Sequence, residues 1–300
     1  MKPPPFKYLA PDSLEQALEL MAQYGGEAKP LAGGQSLIPA MNFRVAQPAV
    51  LVDLNRITGL EYIKTAEDGS LAMGAMTRQR DLEFDPQVAE RVPLLHECMP
   101  HVAHPQIRNR GTLGGSLAHA DPAAELPVVA VAASARIRAQ GSRGERWIEA
   151  EQFFQGMFTT ALEPGELLVE VVFPPAEPGI GWSFLEVSRR RGDYAMLGIA
   201  ASLSLNAQGV CSAARLVFMN AGDGPIEARQ AAAGLSGQQP GPEAFEQAAA
   251  AAQQEIDPLG NVHATVAYQR HLATVLTRRA LAIAAERARG NGNLPAAGAA

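Results

Sequence analysis

The sequence predicts an α+β protein, because strand and helix signals alternate in its first part and are separated in its last part. Between residues 28 and 54, a short strand, a glycine turn, a short helix and a second strand follow one another. Beyond residue 181, three strand patterns with turn signals between them predict an antiparallel sheet, and two helix patterns follow the sheet. We therefore expect two regions of different architecture.

The composition of the 300 residues suits a globular protein, with 47% hydrophobic and 19% charged residues. A formal net charge of −6 argues against a nucleic-acid-binding surface, which would need a dominant basic patch. The cysteines, Cys98 and Cys211, are too few for a disulfide framework or a four-cysteine iron–sulfur cluster. We expect both to be small buried hydrophobes, and any such cluster to lie on a partner.

The apolar pattern of the chain bears on its expected location. The N-terminal stretch lacks the apolar run of a signal peptide, and no uncharged stretch of roughly 18 residues could span a membrane. We therefore expect a cytoplasmic protein without a membrane span. Residues 291–300 are expected to form a disordered tail.

Local signals predict several element boundaries. Apolar residues repeat at helical spacing from Leu14 to Met21, and Ser13 with Gln16 has the spacing of a capping box. Asp121 can cap another helix, with Pro122 as its first residue. Four methionines are expected to fill the core: Met21, Met41, Met73 and Met76.

Two glycine pairs, each closely followed by a serine, provide the main functional signal. They occur in "LAGGQS" at residues 31–36 and "LGGS" at residues 113–116. A glycine in a strand-to-helix turn can adopt positive φ and leave successive N–H groups aimed outward as a nest for an anion. Two nests from distant segments would suit a diphosphate. The alternative is that both pairs are ordinary turns.

A nicotinamide dinucleotide fold is the competing interpretation, because Asp53 ends a strand about 20 residues after Gly33, where a ribose-binding acid would lie. The glycine pattern argues against it. The G-x-G-x-x-G fingerprint is absent, and Pro39 interrupts the helix that would receive the diphosphate. A phosphate loop ending in G-K-S/T is also absent.

Four segments together resemble the medium, FAD-binding subunit of the molybdenum hydroxylases, the group that includes carbon monoxide dehydrogenase and bacterial xanthine dehydrogenase. They read "LAGGQSLIPAMNFR", "QIRNRGTLGGSLAHADPAAELP", "FFQGMFTTALEPGELLVEVVFP" and "FLEVSRRRGDYAMLGIAA". The resemblance implies a two-lobed FAD-binding domain of the vanillyl-alcohol-oxidase/PCMH type over residues 1–176, with lobes of about 1–56 and 57–176. It implies a C-terminal antiparallel sheet with helices over residues 177–290.

The resemblance also implies which residues contact FAD. The first diphosphate loop would comprise Ala32, Gly33, Gly34, Gln35 and Ser36, and the second would comprise Thr112, Leu113, Gly114, Gly115 and Ser116. Glu125 stands where relatives place an acid near the sugar end of the cofactor, with His119 and Asp121 on the same turn. The alternative role for both acids is stabilisation of a helix N-terminus. Tyr194 is a candidate neighbour of the flavin ring, against the alternative of an ordinary core tyrosine.

The chain departs from the family at Leu185-Glu186, where relatives often carry a lysine whose charge can stabilise reduced flavin. Arg189 to Arg191 can compensate for that charge or be solvated. His101 and His104 have a spacing that metal sites can use, but they lack a third ligand nearby in sequence, so we expect no metal site.

The function implied by the resemblance is a flavoprotein subunit of a molybdenum hydroxylase. A large molybdopterin subunit and a small subunit with two 2Fe–2S clusters would be its partners, as a dimer of heterotrimers, and electrons would pass through FAD to an external acceptor. No side chain of this chain would act on the organic substrate. The substrate and the acceptor (oxygen, a quinone, NAD or another carrier) stay open. The alternatives are a stand-alone FAD-dependent oxidoreductase and a non-catalytic module that retains the fold.

Overall fold

The computed structural model describes residues 2–177 and 179–290, and the chain divides into two units. The first unit comprises Met1–Val92, Val102–Asp121 and Ser134–Pro175. The second comprises Pro93–His101, Pro122–Ala133 and Ala176–Ala300, so it takes two segments from the first half of the chain. The predicted tail, 291–300, lies outside the described residues.

Helices and strands are numbered in chain order. Up to residue 101 they are β1 (Lys7–Leu9), α1 (Leu14–Tyr24), β2 (Ala28–Leu31), α2 (Leu37–Asn42), β3 (Val50–Asp53), β4 (Ile63–Thr65), β5 (Leu71–Gly74), α3 (Gln79–Phe84), α4 (Pro86–Arg91) and α5 (Pro93–Cys98). Up to residue 176 they are α6 (Pro105–Arg108), α7 (Leu113–His119), α8 (Glu125–Ala132), β6 (Arg136–Gly141), β7 (Gly144–Glu149), α9 (Ala150–Phe153), β8 (Phe154–Gly156), β9 (Thr159–Thr160) and β10 (Leu167–Phe173). The remainder are β11 (Ile180–Val187), β12 (Leu197–Leu205), β13 (Cys211–Met219), β14 (Ile226–Glu227), α10 (Arg229–Leu235), α11 (Pro242–Glu255) and α12 (Val266–Ala288).

The first unit contains a parallel and an antiparallel sheet. The parallel sheet has the order β1-β3-β2. Helix α1 packs against it through Ala17, Leu18 and Met21, which share a core cluster with Val50 and Val52 of β3. The antiparallel sheet has the order β4-β5-β10-β6-β7.

Helix α1 begins as predicted, because the Ser13 side chain accepts a hydrogen bond from Gln16 N at 3.3 Å. The reciprocal half of the capping box differs from the prediction. The Gln16 side chain accepts from Asp12 N at 3.1 Å instead of from Ser13 N, so it satisfies the N–H group one residue earlier.

The second unit is built on an antiparallel sheet with the order β11-β12-β13-β14. The long helix α12 packs on β11 and β12 so closely that a Cβ at Gly181 would lie 1.8 Å from the Ala284 carbonyl oxygen. Helices α5 and α8 also belong to this unit and pack against β11 and β13 respectively. The predicted α+β fold with a C-terminal antiparallel sheet and helices is therefore confirmed.

Both cysteines and several methionines lie in the core. The predicted burial of Cys98, Cys211 and the four methionines is confirmed. Burial raises the pKa of the Cys98 thiol, which suits a packing role. Helix α10, a short helix whose buried residues are two alanines and a leucine, was not predicted. Among the described residues, no helix combines the length and the apolar character needed to cross a bilayer.

Candidate functional site

The first glycine segment, residues 31–36, connects β2 to α2 in the first unit. Gly34 has a φ of +74°, a conformation that favours glycine, and its carbonyl accepts from Ile38 N at 3.1 Å to start the helix. Within the described chain, none of the backbone N–H groups from Ala32 to Ser36 donates to a protein acceptor. The Ser36 side chain makes no capping hydrogen bond either. The segment therefore presents a run of available donors, which is the chemistry that an anion requires.

The second glycine pair differs from its prediction as a turn before a helix. Gly114 and Gly115 lie inside α7, whose N-cap is Thr112. The local N–H groups are already used: Leu113 N donates to Thr77 O at 3.0 Å, Gly114 N to Ala75 O at 2.9 Å, and Gly115 N to the Thr112 hydroxyl at 3.1 Å. The interpretation of this pair as a backbone nest is wrong, because α7 and its neighbours satisfy those donors.

The two predicted segments lie against each other within the first unit. A Cβ at Gly33 would lie 2.2 Å from the carbonyl oxygen of Arg110 and 2.8 Å from Gly111 Cα. A Cβ at Gly115 would lie 3.4 Å from the Ala32 side chain. Glycine at position 33 is therefore required because its backbone touches that of Arg110 and Gly111. Residues 32–36, Gly115 and Ser116 are partly exposed and form one surface, whereas residues 112–114 are buried.

A hydrogen-bonded network formed by Asn55 and Arg78 next to the two segments was not predicted. Asn55 Nδ2 donates to Ala32 O at 2.8 Å, and Asn55 Oδ1 accepts from the Arg78 guanidinium at 2.7 Å. The same guanidinium donates to Arg110 O at 2.7 Å, so it connects the two segments. Asn55 and Arg78 stand in ordinary loop sequence, and nothing in their spacing indicates that they would meet.

Asp53 is the residue that a nicotinamide fold would use to bind ribose, but both of its carboxylate oxygens accept hydrogen bonds from other residues of the chain. Its Oδ2 accepts from the Tyr8 hydroxyl, and its Oδ1 accepts from the backbone N and the side chain of Asn55, at 2.9 and 2.5 Å. Burial opposes ionisation of this carboxyl, but the hydrogen bonds outweigh burial, and the pKa of Asp53 lies below its usual range. Asp53 is thus a structural carboxylate that holds Asn55.

His119 and Asp121 follow the second segment at the end of α7. The His119 ring lies 5.1 Å from the Phe158 ring, and burial, with a smaller effect of Lys29, lowers the pKa of His119 although Asp121 acts in the opposite direction. The prediction that Asp121 caps a helix beginning at Pro122 is wrong. Helix α8 begins at Glu125 after the N-cap Ala124, because Pro122 O instead accepts from Asn220 N at 2.8 Å.

Two predicted site residues belong to the second unit. Glu125 lies in the first turn of α8, where the helix dipole favours a carboxylate. Tyr194 follows Gly192, which has a φ of +87°, and is 69% exposed. The alternative that Tyr194 is a core tyrosine is therefore wrong.

The departure at Leu185-Glu186 also lies in the second unit. The Glu186 side chain is only 4% exposed, and His101 Nδ1 lies 3.4 Å from its Oε1. Its Oε2 has no hydrogen-bond partner in the described part of the chain. Arg189 and Arg190 form surface ion pairs with Asp193, at 3.3 and 3.5 Å, so two of the three arginines are paired within their own turn.

Comparisons with known proteins cover both units. Residues 4–176 match the family described as the FAD binding domain in molybdopterin dehydrogenase, and residues 182–284 match the CO dehydrogenase flavoprotein C-terminal domain. A similar curated protein is the 6-hydroxypseudooxynicotine dehydrogenase complex subunit alpha of Paenarthrobacter nicotinovorans. It is 44% identical over 289 residues, which cover 96% of this chain and 97% of that protein.

Solved structures show the same architecture. Carbon monoxide dehydrogenase from Hydrogenophaga pseudoflava has a chain with a TM-score of 0.93 and 38% identity, covering 96% of this chain and 99% of its own length. Quinoline 2-oxidoreductase from Pseudomonas putida 86 has a chain with a TM-score of 0.91 and 38% identity, with the same coverage of both chains. These likenesses extend through the whole described fold.

Proposed function

The chain belongs to the FAD-binding medium subunits of the molybdenum hydroxylases, and from this membership we propose that it holds FAD against the surface formed by its two glycine segments. The proposed contacts are Ala32, Gly33, Gly34, Gln35, Ser36, Thr112, Leu113, Gly114, Gly115, Ser116, His119, Asp121, Glu125 and Tyr194. The domain boundary at residues 176/177 and the two lobes of the first domain are part of the same proposal.

The observation that carries this proposal is the set of available N–H donors from Ala32 to Ser36. A diphosphate is an acceptor-only group, so it fits a row of backbone donors without a proton transfer. Because Gly33 has no side chain, its backbone can lie against the Arg110 carbonyl. The second segment can therefore approach the first. Hydrogen bonds to a charged oxygen contribute about 1.5–3 kcal/mol each, so a few of them would retain the cofactor.

The two segments would contribute differently to binding. The first would supply backbone donors, whereas α7 would supply a rigid wall and the Ser116 hydroxyl, because the N–H groups of Leu113, Gly114 and Gly115 are engaged. When bound, FAD would supply the redox chemistry, namely electron transfer between the 2Fe–2S clusters proposed for a partner and an external acceptor. This chain's residues bind and orient the cofactor, and none of them needs to act as an acid or a base.

The chain is a subunit of a multi-subunit complex of the carbon monoxide dehydrogenase type. We propose a large molybdopterin subunit and a small iron–sulfur subunit as its partners, assembled as a dimer of heterotrimers. The small number of cysteines supports this division, because the chain cannot hold a four-cysteine cluster. The names of related proteins, which include "medium chain" and "medium subunit", agree with it.

The organic substrate is proposed to be selected on the partner. Relatives that are 34 to 44% identical belong to proteins named for carbon monoxide, caffeine, glyceraldehyde and 6-hydroxypseudooxynicotine. A scaffold shared among such different molecules does not itself select between them. For the acceptor, the absence of a nicotinamide fingerprint in the sequence and the engagement of Asp53 by Tyr8 and Asn55 favour oxygen, a quinone or another carrier over NAD.

Purification of the native assembly tests the proposal. We expect flavin absorbance equivalent to one FAD per chain, and native mass spectrometry should find a molybdenum subunit and an iron–sulfur subunit with this chain. A colourless full-length chain that takes up no added FAD would contradict cofactor binding. A coloured chain that purifies alone from its own cells, with substrate turnover, would instead support the stand-alone oxidoreductase.

A further inference from the structure

Arg78 and Asn55 connect the first glycine segment to Arg110, which closely precedes the second segment. Asn55 holds the Ala32 carbonyl at 2.8 Å, and its side-chain oxygen accepts from Arg78 at 2.7 Å. Arg78 also donates to the Arg110 carbonyl at 2.7 Å, the same oxygen that Gly33 approaches. Every link in this chain joins residues far apart in sequence, so the spacing of the two segments depends on these two side chains.

Arg78 is itself fixed by the backbone on either side of it. Gln79 N donates to Gly111 O at 2.9 Å, and Leu113 N donates to Thr77 O at 3.0 Å, so Arg78 pairs with Thr112 in an antiparallel bridge. The backbone of Arg78, from which the guanidinium extends, is therefore held against the second segment by hydrogen bonds. Arg78 donates to Asn55, and Asn55 donates to Ala32 O, so these two hydrogen bonds also fix the first segment.

The charge of Arg78 is a second, independent observation. The buried Arg108 and the partly exposed Arg146 have carboxylate partners, Glu83 and Glu166, each at 2.8 Å. In the described part of the chain, Arg78 forms no ion pair with a carboxylate, and its hydrogen-bond acceptors are a carbonyl and an amide. A half-buried cation whose hydrogen-bond acceptors are neutral favours an anion nearby.

We infer that Asn55 and Arg78 are positioning residues for the diphosphate of FAD: they set the gap between the glycine segments, and Arg78 adds a positive charge that forms no ion pair with a carboxylate of the described residues. This inference rests on the proposed function, because it concerns the same surface. Asn55 and Arg78 lie outside both glycine motifs, so the inference adds a positioning role that the motifs do not provide.

Binding titrations of the full-length chain test the inference. The flavin-free protein is titrated with FAD, and separately with riboflavin, which has the same ring system but no phosphate. Arg78→Gln removes the charge. The matched control is Arg80→Gln, which changes the net charge equally at an exposed position two residues away, where the guanidinium stacks on Phe84. Thermal unfolding of each flavin-free variant reports its folding.

We expect Arg78→Gln to weaken FAD binding by about 10- to 100-fold, the range for losing a hydrogen-bonded charge near an anion. Riboflavin binding should change by less than about threefold, because no phosphate is involved. The dependence of FAD affinity on salt concentration should also become shallower. Arg80→Gln should change none of these values.

Asn55→Asp provides a second variant of nearly unchanged shape. It removes the donor to Ala32 O and to Asp53 Oδ1 and places a carboxylate between Asp53 and Arg78, so we expect it to weaken FAD binding by about tenfold or more while riboflavin binding is retained. Equal FAD affinity for wild type, Arg78→Gln and Arg80→Gln would overturn the inference. Equal loss of FAD and riboflavin in Arg78→Gln would also overturn it. A wild-type chain that binds no FAD would refute the proposed function itself, so the two failures are distinguishable.

Discussion

The two glycine segments of the first unit both contain a glycine pair closely followed by a serine, but glycine is needed in them for different physical reasons. In residues 31–36, Gly34 adopts a positive φ, and the N–H groups from Ala32 to Ser36 are available. In residues 113–116, the glycines belong to a regular helix whose N–H groups donate to the protein, and a Cβ at Gly114 would lie 2.6 Å from the Ala75 side chain. A glycine pair can therefore mark either a donor surface or a close packing contact.

Replacing Gly33 by valine should have the largest effect on this pair of segments. The new Cβ would overlap the Arg110 carbonyl, so the backbones must separate, and we expect a loss of about 3 kcal/mol in unfolding free energy together with loss of bound flavin. Gly114→Val should behave similarly because it meets the backbone of Ala75. Visible flavin absorbance per chain and thermal unfolding measure both effects. Gly26→Val is the control, because a Cβ there meets nothing within 4 Å. Normal flavin content in Gly33→Val would contradict the shared surface.

Alanine at Gly34 and at Gly115 should separate the two roles of glycine. Gly34→Ala places a side chain at a φ of +74°, which costs about 1–2 kcal/mol. Gly115→Ala gains helix propensity of about 1 kcal/mol but crowds the Thr112 hydroxyl, so the two effects nearly cancel. Chemical denaturation measures the difference. Equal destabilisation by the two variants would argue against distinct roles.

The N-cap of α7 should contribute a smaller amount. Thr112→Ala removes the acceptor of Gly115 N, and we expect a loss of about 1 kcal/mol, whereas Thr112→Ser should retain most of the stability. Urea unfolding of both variants checks this. A serine variant as unstable as the alanine variant would mean that the threonine methyl group, and not the hydroxyl, is what matters.

His119 should give the smallest effect, a change in pH dependence. Burial lowers its pKa in the folded protein below the usual 6.5, so the unfolded chain binds the proton more readily. The resulting stability is complete above about pH 6.5 and is lost as the pH falls through the folded-state pKa. We expect His119→Gln to lose less stability than wild type on acidification below pH 6.5, measured as the thermal midpoint at each pH. Parallel curves for the two proteins would contradict this role of burial.

Local pattern was sufficient to predict several helices and strands of this chain. The apolar run that became β3, the helical spacing in α1 and the three strands β11, β12 and β13 are each encoded in a few consecutive residues. Helix α10 was missed because its buried face is small and only packing against its neighbours stabilises it. The start of α8 was misplaced because a hydrogen bond from Asn220, about a hundred residues away, competes for Pro122 O.

The sequence by itself determined that two glycine segments exist, that the first lies next to a helix, and that the chain belongs with flavin-binding subunits. Tertiary structure alone decided which of the two segments keeps its N–H donors available and that Asn55 and Arg78 join them. The physical reason is that a backbone donor is free or engaged according to acceptors that other parts of the chain bring to it. Those acceptors, such as Thr77 O and Ala75 O for α7, are separated from their donors by more than 30 residues, beyond the range of any local pattern.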